Sequence, residues 1–205
     1  MQRFVHLAIC CFLVTGSPLY AQSLSAADIL KQVDEKVSGL NDYQALLNDP
    51  DPARSMAAME IMINSGDTIL ERMALEYGIY SPNPSVQRAA LDAYFASKPT
   101  LDVYFDAGSS NSDWRFYKPL TQAGGSILQD GTGYMPSGVG AFDPDQNCYL
   151  KAGQEQCRAR VTDNGVSVHF WNNWYNLKLN DQGELSGAGA FPGINSVATV
   201  IPINK

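Results

Sequence analysis

The residues of this chain equipped for chemistry cluster in its last third. His169, Trp171 and Trp174 lie close together, and Arg158 and Arg160 precede them. Flat aromatic rings beside stacking guanidinium groups make a surface that holds sugars, peptides or cations. Past residue 21, His169 is the single histidine, so a zinc centre built on imidazoles is not expected and neither metal nor cofactor is assigned. No serine stands in the Gly-x-Ser-x-Gly elbow of triad hydrolases. Asp143-Pro144-Asp145 starts like a calcium loop, but Cys148 stands where the loop needs glycine and Gln154 where it needs a bidentate glutamate. We read it as an acidic turn. Asp102, Asp106, Asp113, Glu155 and Glu184 are available for a glycosidase-type carboxylate pair, yet such a pair is defined in space rather than by spacing. No catalytic residue is assigned.

These side chains need strands to carry them. After Lys98-Pro99 the composition turns to Gly, Asn, Ser, Tyr and Trp, a helix-poor mixture. Residues 107–112 read as a linker or mobile loop. A turn at Ala152-Gly153 sets Cys148 directly opposite Cys157, as a cross-strand disulfide requires. Further turns at Asn164-Gly165, Asn172-Asn173 and Asp181-Gln182-Gly183 pair Ala159 with Phe170, Phe170 with Tyr175, and Leu177 with Gly187. Together they put Cys157, Ala159, Val161, Val168, Phe170, Tyr175, Leu177, Leu179 and Leu185 on one face. A one-residue slip would scatter that set. The opposite face carries Arg158, Arg160, His169, Trp171, Trp174, Asn176 and Lys178. Further strands at 114–118, 126–129, 139–142 and 197–203 predict a curled sheet or small barrel of seven or eight strands. Closure stays open at this level.

Upstream the period changes from two to that of a helix. Ser25 and Asp28 form a capping box, Ile29, Leu30, Val33 and Val37 a stripe, and Gly39 a stop signal. Asp67 caps a second stretch striped by Ile69, Leu70, Met73, Ala74 and Tyr77 and ended by Gly78. The run from Pro50-Asp51-Pro52 to Glu60 aligns with Pro82-Asn83-Pro84 to Asp92 at an offset of 32 residues. Proline loses nothing in the first turn of a helix, and paired alanines admit a close neighbour. With this opening and its Ala-Ala core, segment 48–97 resembles HEAT-like repeats. The resemblance implies an α-α stack used for protein contact, hence a protein partner. Such arrays need about three repeats to stand alone, so another surface must complete this one. Met56, Met59, Met62 and Met73 read as its soft core. The Arg158, Trp171 and Trp174 face is the expected cover, with ligand binding as the other reading.

Residues 1–21 read as a cleaved secretory signal: Arg3, an apolar run from Phe4 to Val14, a Gly-Ser-Pro breaker and Ala21. That run falls short of the roughly 20 residues a membrane span needs. Cleavage removes Cys10 and Cys11 and leaves Cys148 and Cys157, expected as a disulfide in a periplasmic or secreted protein. With 14 basic against 21 acidic side chains and no basic run, nucleic acid is not an expected partner. The chain therefore reads as α+β: a HEAT-like helical region over 22–98, then an antiparallel meander or small barrel with one disulfide over 99–205. The expected function is that of an exported, non-catalytic protein-interaction or binding module of the bacterial envelope. Two alternatives are an envelope hydrolase using a carboxylate pair and a small-molecule carrier using the interior of the β domain.

Overall fold

The structure, a computed structural model, describes residues 25–163 and 165–203. The signal-sequence reading lies outside these residues. None of the described helices is long and apolar enough to cross a membrane. The chain divides into two units, with the boundary between Gly39 and Leu40. The described part of the first is the opening of helix α1 (Ala26–Leu47), where Ser25 Oγ donates to Asp28 Oδ2 at 2.7 Å and accepts from the Asp28 N–H at 3.1 Å. Contrary to the stop signal read at Gly39, α1 runs straight through it, because an isolated glycine only weakens a helix.

Three further helices, α2 (Pro52–Ile63), α3 (Thr68–Ile79) and α4 (Pro84–Ala96), open on Asp51, Asp67 and Asn83, whose side chains accept hydrogen bonds from first-turn N–H groups. The two aligned segments are thus α2 and α4, each with proline in its first turn. α3 ends at Ile79, one residue past Gly78. Gly78 itself is buried in the last turn, where an added Cβ would come 2.2 Å from Ala90 Cβ and 2.7 Å from Met59 Sδ. The glycine serves a close helix crossing, and the expected alanine, Ala90, stands on the other side of it. Met59 and Met62 are buried, with Met56 and Met73 packed against the same core.

The remainder is a closed, eight-stranded antiparallel barrel. Its strands are β1 (Thr100–Asp106), β3 (Gly133–Asp143), β4 (Cys148–Lys151), β5 (Cys157–Thr162), β6 (Gly165–Phe170), β7 (Asn173–Leu179), β8 (Glu184–Phe191) and β9 (Ile194–Pro202), with a two-residue β2 (Ser126–Ile127) added to the edge of β3. Closure comes from β1, where Phe105 faces Thr199 of β9 on one side and Gly133 of β3 on the other. Large side chains fill the interior, among them Phe105, Phe170, Tyr175, Leu177, Leu185 and Ile201. At Gly189 an added Cβ would lie 2.4 Å from the Tyr175 ring, so the glycine admits that ring, whose hydroxyl donates to the Ala190 carbonyl at 2.7 Å.

Helices cover the barrel at two places. Tyr149 donates its hydroxyl to the Asp92 carbonyl at 2.9 Å and packs on Phe95 at 5.7 Å, tying α4 to β4. Elsewhere α5 (Trp114–Gln122) buries Phe116 and Leu120 against Gly133 and Phe191. The strand expected at 114–118 is therefore a helix. Asp113 caps it, and the fourfold spacing of Phe116 and Leu120 outweighs the breaker at Pro119. Residues 107–112 are also no plain linker: Asp106 and Asn111 tie a short 3-10 turn (Gly108–Ser110) through the Ala107 and Gly108 N–H groups.

In the meander, the loop before β8 pairs Leu179 with Leu185 and Leu177 with Gly187, as expected. At the two preceding turns the register sits two residues from the expected one. Thr162 faces Gly165, Phe170 faces Asn173, and the second turn is Trp171-Asn172. A shift of two leaves every side chain on its face, so the apolar set still points inward. The Cys148–Cys157 disulfide is present, with Cα atoms 5.8 Å apart, yet the cysteines are not directly opposed. Leu150 faces Cys157 and Tyr149 faces Ala159, which leaves Arg158 as the extra residue of a β-bulge.

Candidate functional site: a cationic cavity in the barrel wall

The β4–β5 hairpin is short. Beside it the wall of the barrel holds a cavity of about 260 Å³, with Met135, Pro136, Ser137 and Gly138 of β3 on one side and His169, Phe170, Trp171 and Asn172 on the other. Lys151, Gln156 and Arg158 line it from the hairpin. Its size lies just below the usual range for small-ligand sites, roughly 300–1,000 Å³.

The bulge explains how Arg158 comes to be here. In a regular strand it would alternate outward from Cys157 and Ala159. As the unpaired residue of a bulge its side chain is redirected, and it is only 7% exposed. Its Nη1 donates to the His169 carbonyl, and its guanidinium lies 4.9 Å from the centre of the Phe170 ring. Nε has no hydrogen-bond partner. Burial pushes the guanidinium down to about 10, and no aspartate or glutamate lines the cavity. Among the described residues, Arg158 is thus a buried cation without a counter-ion. Ser137 Oγ, on the facing strand, is likewise buried and without a partner. Among the described residues, these two are the buried side-chain polar atoms that lack one, and both belong to this cavity.

Trp171 closes one end. It sits in a two-residue hairpin turn with φ of +45°, followed by Asn172 at +65°, the left-handed pair that such turns require. Asparagine tolerates this conformation, whereas a bulky tryptophan adopts it at a cost. The ring is held by Phe191 at 4.3 Å and Phe105 at 5.2 Å between centroids. The expectation that this aromatic face packs beneath the helical region is therefore corrected: Trp171 packs on the barrel's own aromatic cluster. The helices cover Tyr149 instead.

The five residues singled out from sequence divide into two groups. Arg158, His169 and Trp171 line the cavity. Arg160 and Trp174 form an outer stack, with the guanidinium 4.7 Å from the Trp174 ring and that ring 5.0 Å from His169. Trp174 is 37% exposed. Burial, then the charges of Arg158 and Arg160, hold His169 below its ordinary value, so its imidazole is neutral at pH 7. Ser137, Lys151 and Gln156 carry no signal in the sequence, because β3 reaches the site through barrel closure and the hairpin through the bulge, neither of which leaves a local pattern.

Most of the carboxylates open to a hydrolase are engaged elsewhere. Asp102 accepts from Tyr134 at 2.7 Å, Asp106 ties the 3-10 turn, Asp113 caps α5, and Glu184 accepts from Asn180 at 3.1 Å. Asp143 accepts from the N–H groups of Asp145 and Gln146 at 2.9 and 3.2 Å, as in an acidic turn. Comparison of the chain with protein-family models, curated proteins and solved structures found no match.

Proposed function

We propose that the protein is a non-catalytic binding module of the bacterial envelope, exported by its N-terminal segment, and that it recognises its ligand or protein partner through the cavity around Arg158. One observation carries this reading: the Nε of a guanidinium and a hydroxyl are buried without partners at the same cavity. Leaving such groups unpaired opposes folding, and a ligand that completes them gives the arrangement a use. The left-handed Trp171 agrees with it, since backbone strain gathers at ligand sites. An interior filled by Tyr175, Phe170 and Phe105 favours this side cavity over the barrel interior as the place of binding.

The test is an NMR screen of the intact protein against a chemically mixed fragment library, reading the indole N–H signals of Trp114, Trp171 and Trp174. Binding in the cavity shifts Trp171 and leaves Trp114, which lies outside it, in place. A library that moves no Trp171 signal would sink the reading.

A further inference from the structure

Resting on that binding reading, we infer that the cavity takes a carboxylate monoanion attached to an apolar body. The charge comes first. The chain has a formal charge of −7, yet its cavity is lined by Arg158, Lys151 and neutral His169 and, among the described residues, by no acidic one. Lys151 is only half-buried and keeps water, so Arg158 is the one buried cation, and a single negative charge offsets the cost of leaving it isolated.

Shape then selects among anions. Arg158 spends Nη1 on the His169 carbonyl, and its Nε is unpartnered. The edge left is therefore the Nε–Nη2 side of the fork, whose two parallel N–H groups match the two oxygens of a planar carboxylate. Ser137 Oγ supplies a third donor from the facing strand. A tetrahedral dianion such as phosphate carries more charge and more acceptors than these groups satisfy. Met135, Phe170 and Trp171 form the apolar part of the lining, which suits a ligand whose carboxylate adjoins a hydrophobic or aromatic group. Two sources offer that chemistry: a free organic acid, or the C-terminal residue of a peptide.

Isothermal titration of the intact, disulfide-bonded protein distinguishes them, with the Trp171 indole signal locating each ligand. The probes are phenylacetate, N-acetyl-phenylalanine, the primary amide of each, inorganic phosphate and sulfate. Each acid is expected to bind at least about tenfold more tightly than its amide, the ratio that one charge-assisted hydrogen bond supplies, and more tightly than phosphate or sulfate. Tighter binding of N-acetyl-phenylalanine assigns the source to peptide ends, and tighter binding of phenylacetate to free acids. Ser137→Ala should weaken the acid about threefold or more and the amide less, since a hydrogen bond to a charged oxygen is the stronger one. Arg158→Lys keeps the charge but lacks the planar edge, and should lose most of the preference for the acid.

Amides that bind as well as acids would overturn the carboxylate assignment while leaving the binding reading intact. Phosphate or sulfate binding as tightly as the acids would overturn the planar monoanion. If none of the six probes binds while the fragment screen still moves Trp171, the class of ligand is wrong but the site is right. If neither experiment moves it, both readings fall.

Discussion

Ser137 Oγ is buried in the cavity without a partner, and a buried polar group in that state costs about 1–3 kcal/mol. Ser137→Ala should therefore leave stability unchanged or raise it by up to about 1 kcal/mol, even as it weakens the ligand. Urea unfolding measures this, and a loss above about 1 kcal/mol would mean that the hydroxyl supports the fold. Trp171 presents two opposed terms. Its ring is packed on Phe191 and Phe105, so Trp171→Ala should cost about 3 kcal/mol. Its φ is positive, a conformation that costs residues with a Cβ roughly 1–2 kcal/mol, so Trp171→Gly should be more stable than Trp171→Ala by about 1 kcal/mol. An alanine variant as stable as the glycine one would show that the turn relaxes. His169 gives a pH dependence. Burial and the two arginines lower its folded pKa below the unfolded value of 6.5. The unfolded chain then takes the proton first, so the stabilisation is full above the unfolded value and is lost as pH falls through the folded one. Between about pH 7.5 and pH 5, the melting temperature of the wild type should fall relative to that of His169→Gln. A constant difference would mean that His169 titrates alike in both states.

Among the elements, α3 shows why a glycine in a sequence has two meanings. Gly78 reads as a stop signal, but it lies where α3 meets Ala90 and Met59. Alanine gains about 1 kcal/mol of helix propensity over glycine, and an overpacked core loses about 1–3 kcal/mol. Gly78→Ala should therefore lower the thermal midpoint, whereas Gly39→Ala, with nothing near its Cβ, should leave it unchanged or raise it. Equal effects would mean that the α3–α4 crossing yields. The opposite lesson comes from α5. Pro119 argues against a helix locally, yet Phe116 and Leu120 bury one turn apart against β3 and Phe191, and that burial decides the conformation. The β4–β5 hairpin is stapled by Cys148–Cys157. Reduction should cost about 2–3 kcal/mol, the chain-entropy scale for so short a loop, and should loosen the hairpin that carries Arg158.

In the molecule as a whole, α2–α4 and the barrel share one core, joined through Leu91, Phe95 and Tyr149. A fragment of residues 22–98 should accordingly show no cooperative thermal transition, since its core is completed by strands it lacks. A sharp melt of that fragment would contradict this. The α+β order, the cap at Asp67, the first-turn prolines of α2 and α4, the inward-facing set from Cys157 to Leu185 and the disulfide could all be read from sequence, because caps, periodicity and parity are local properties. Parity even survived two misplaced turns, since a slip of two residues changes partners without changing faces. Barrel closure could not be read, because β1 pairs with strands on both sides that lie far along the chain. Nor could the bulge, which depends on how β4 and β5 settle their register between two neighbours. Those two decisions bring Ser137 and Arg158 to one cavity. The sequence by itself determined the local properties, caps, periodicity and the parity of the apolar set; only the tertiary structure decided that Ser137 and Arg158 are buried, left with unpaired atoms and brought together, because closure and the bulge depend on partners far along the chain.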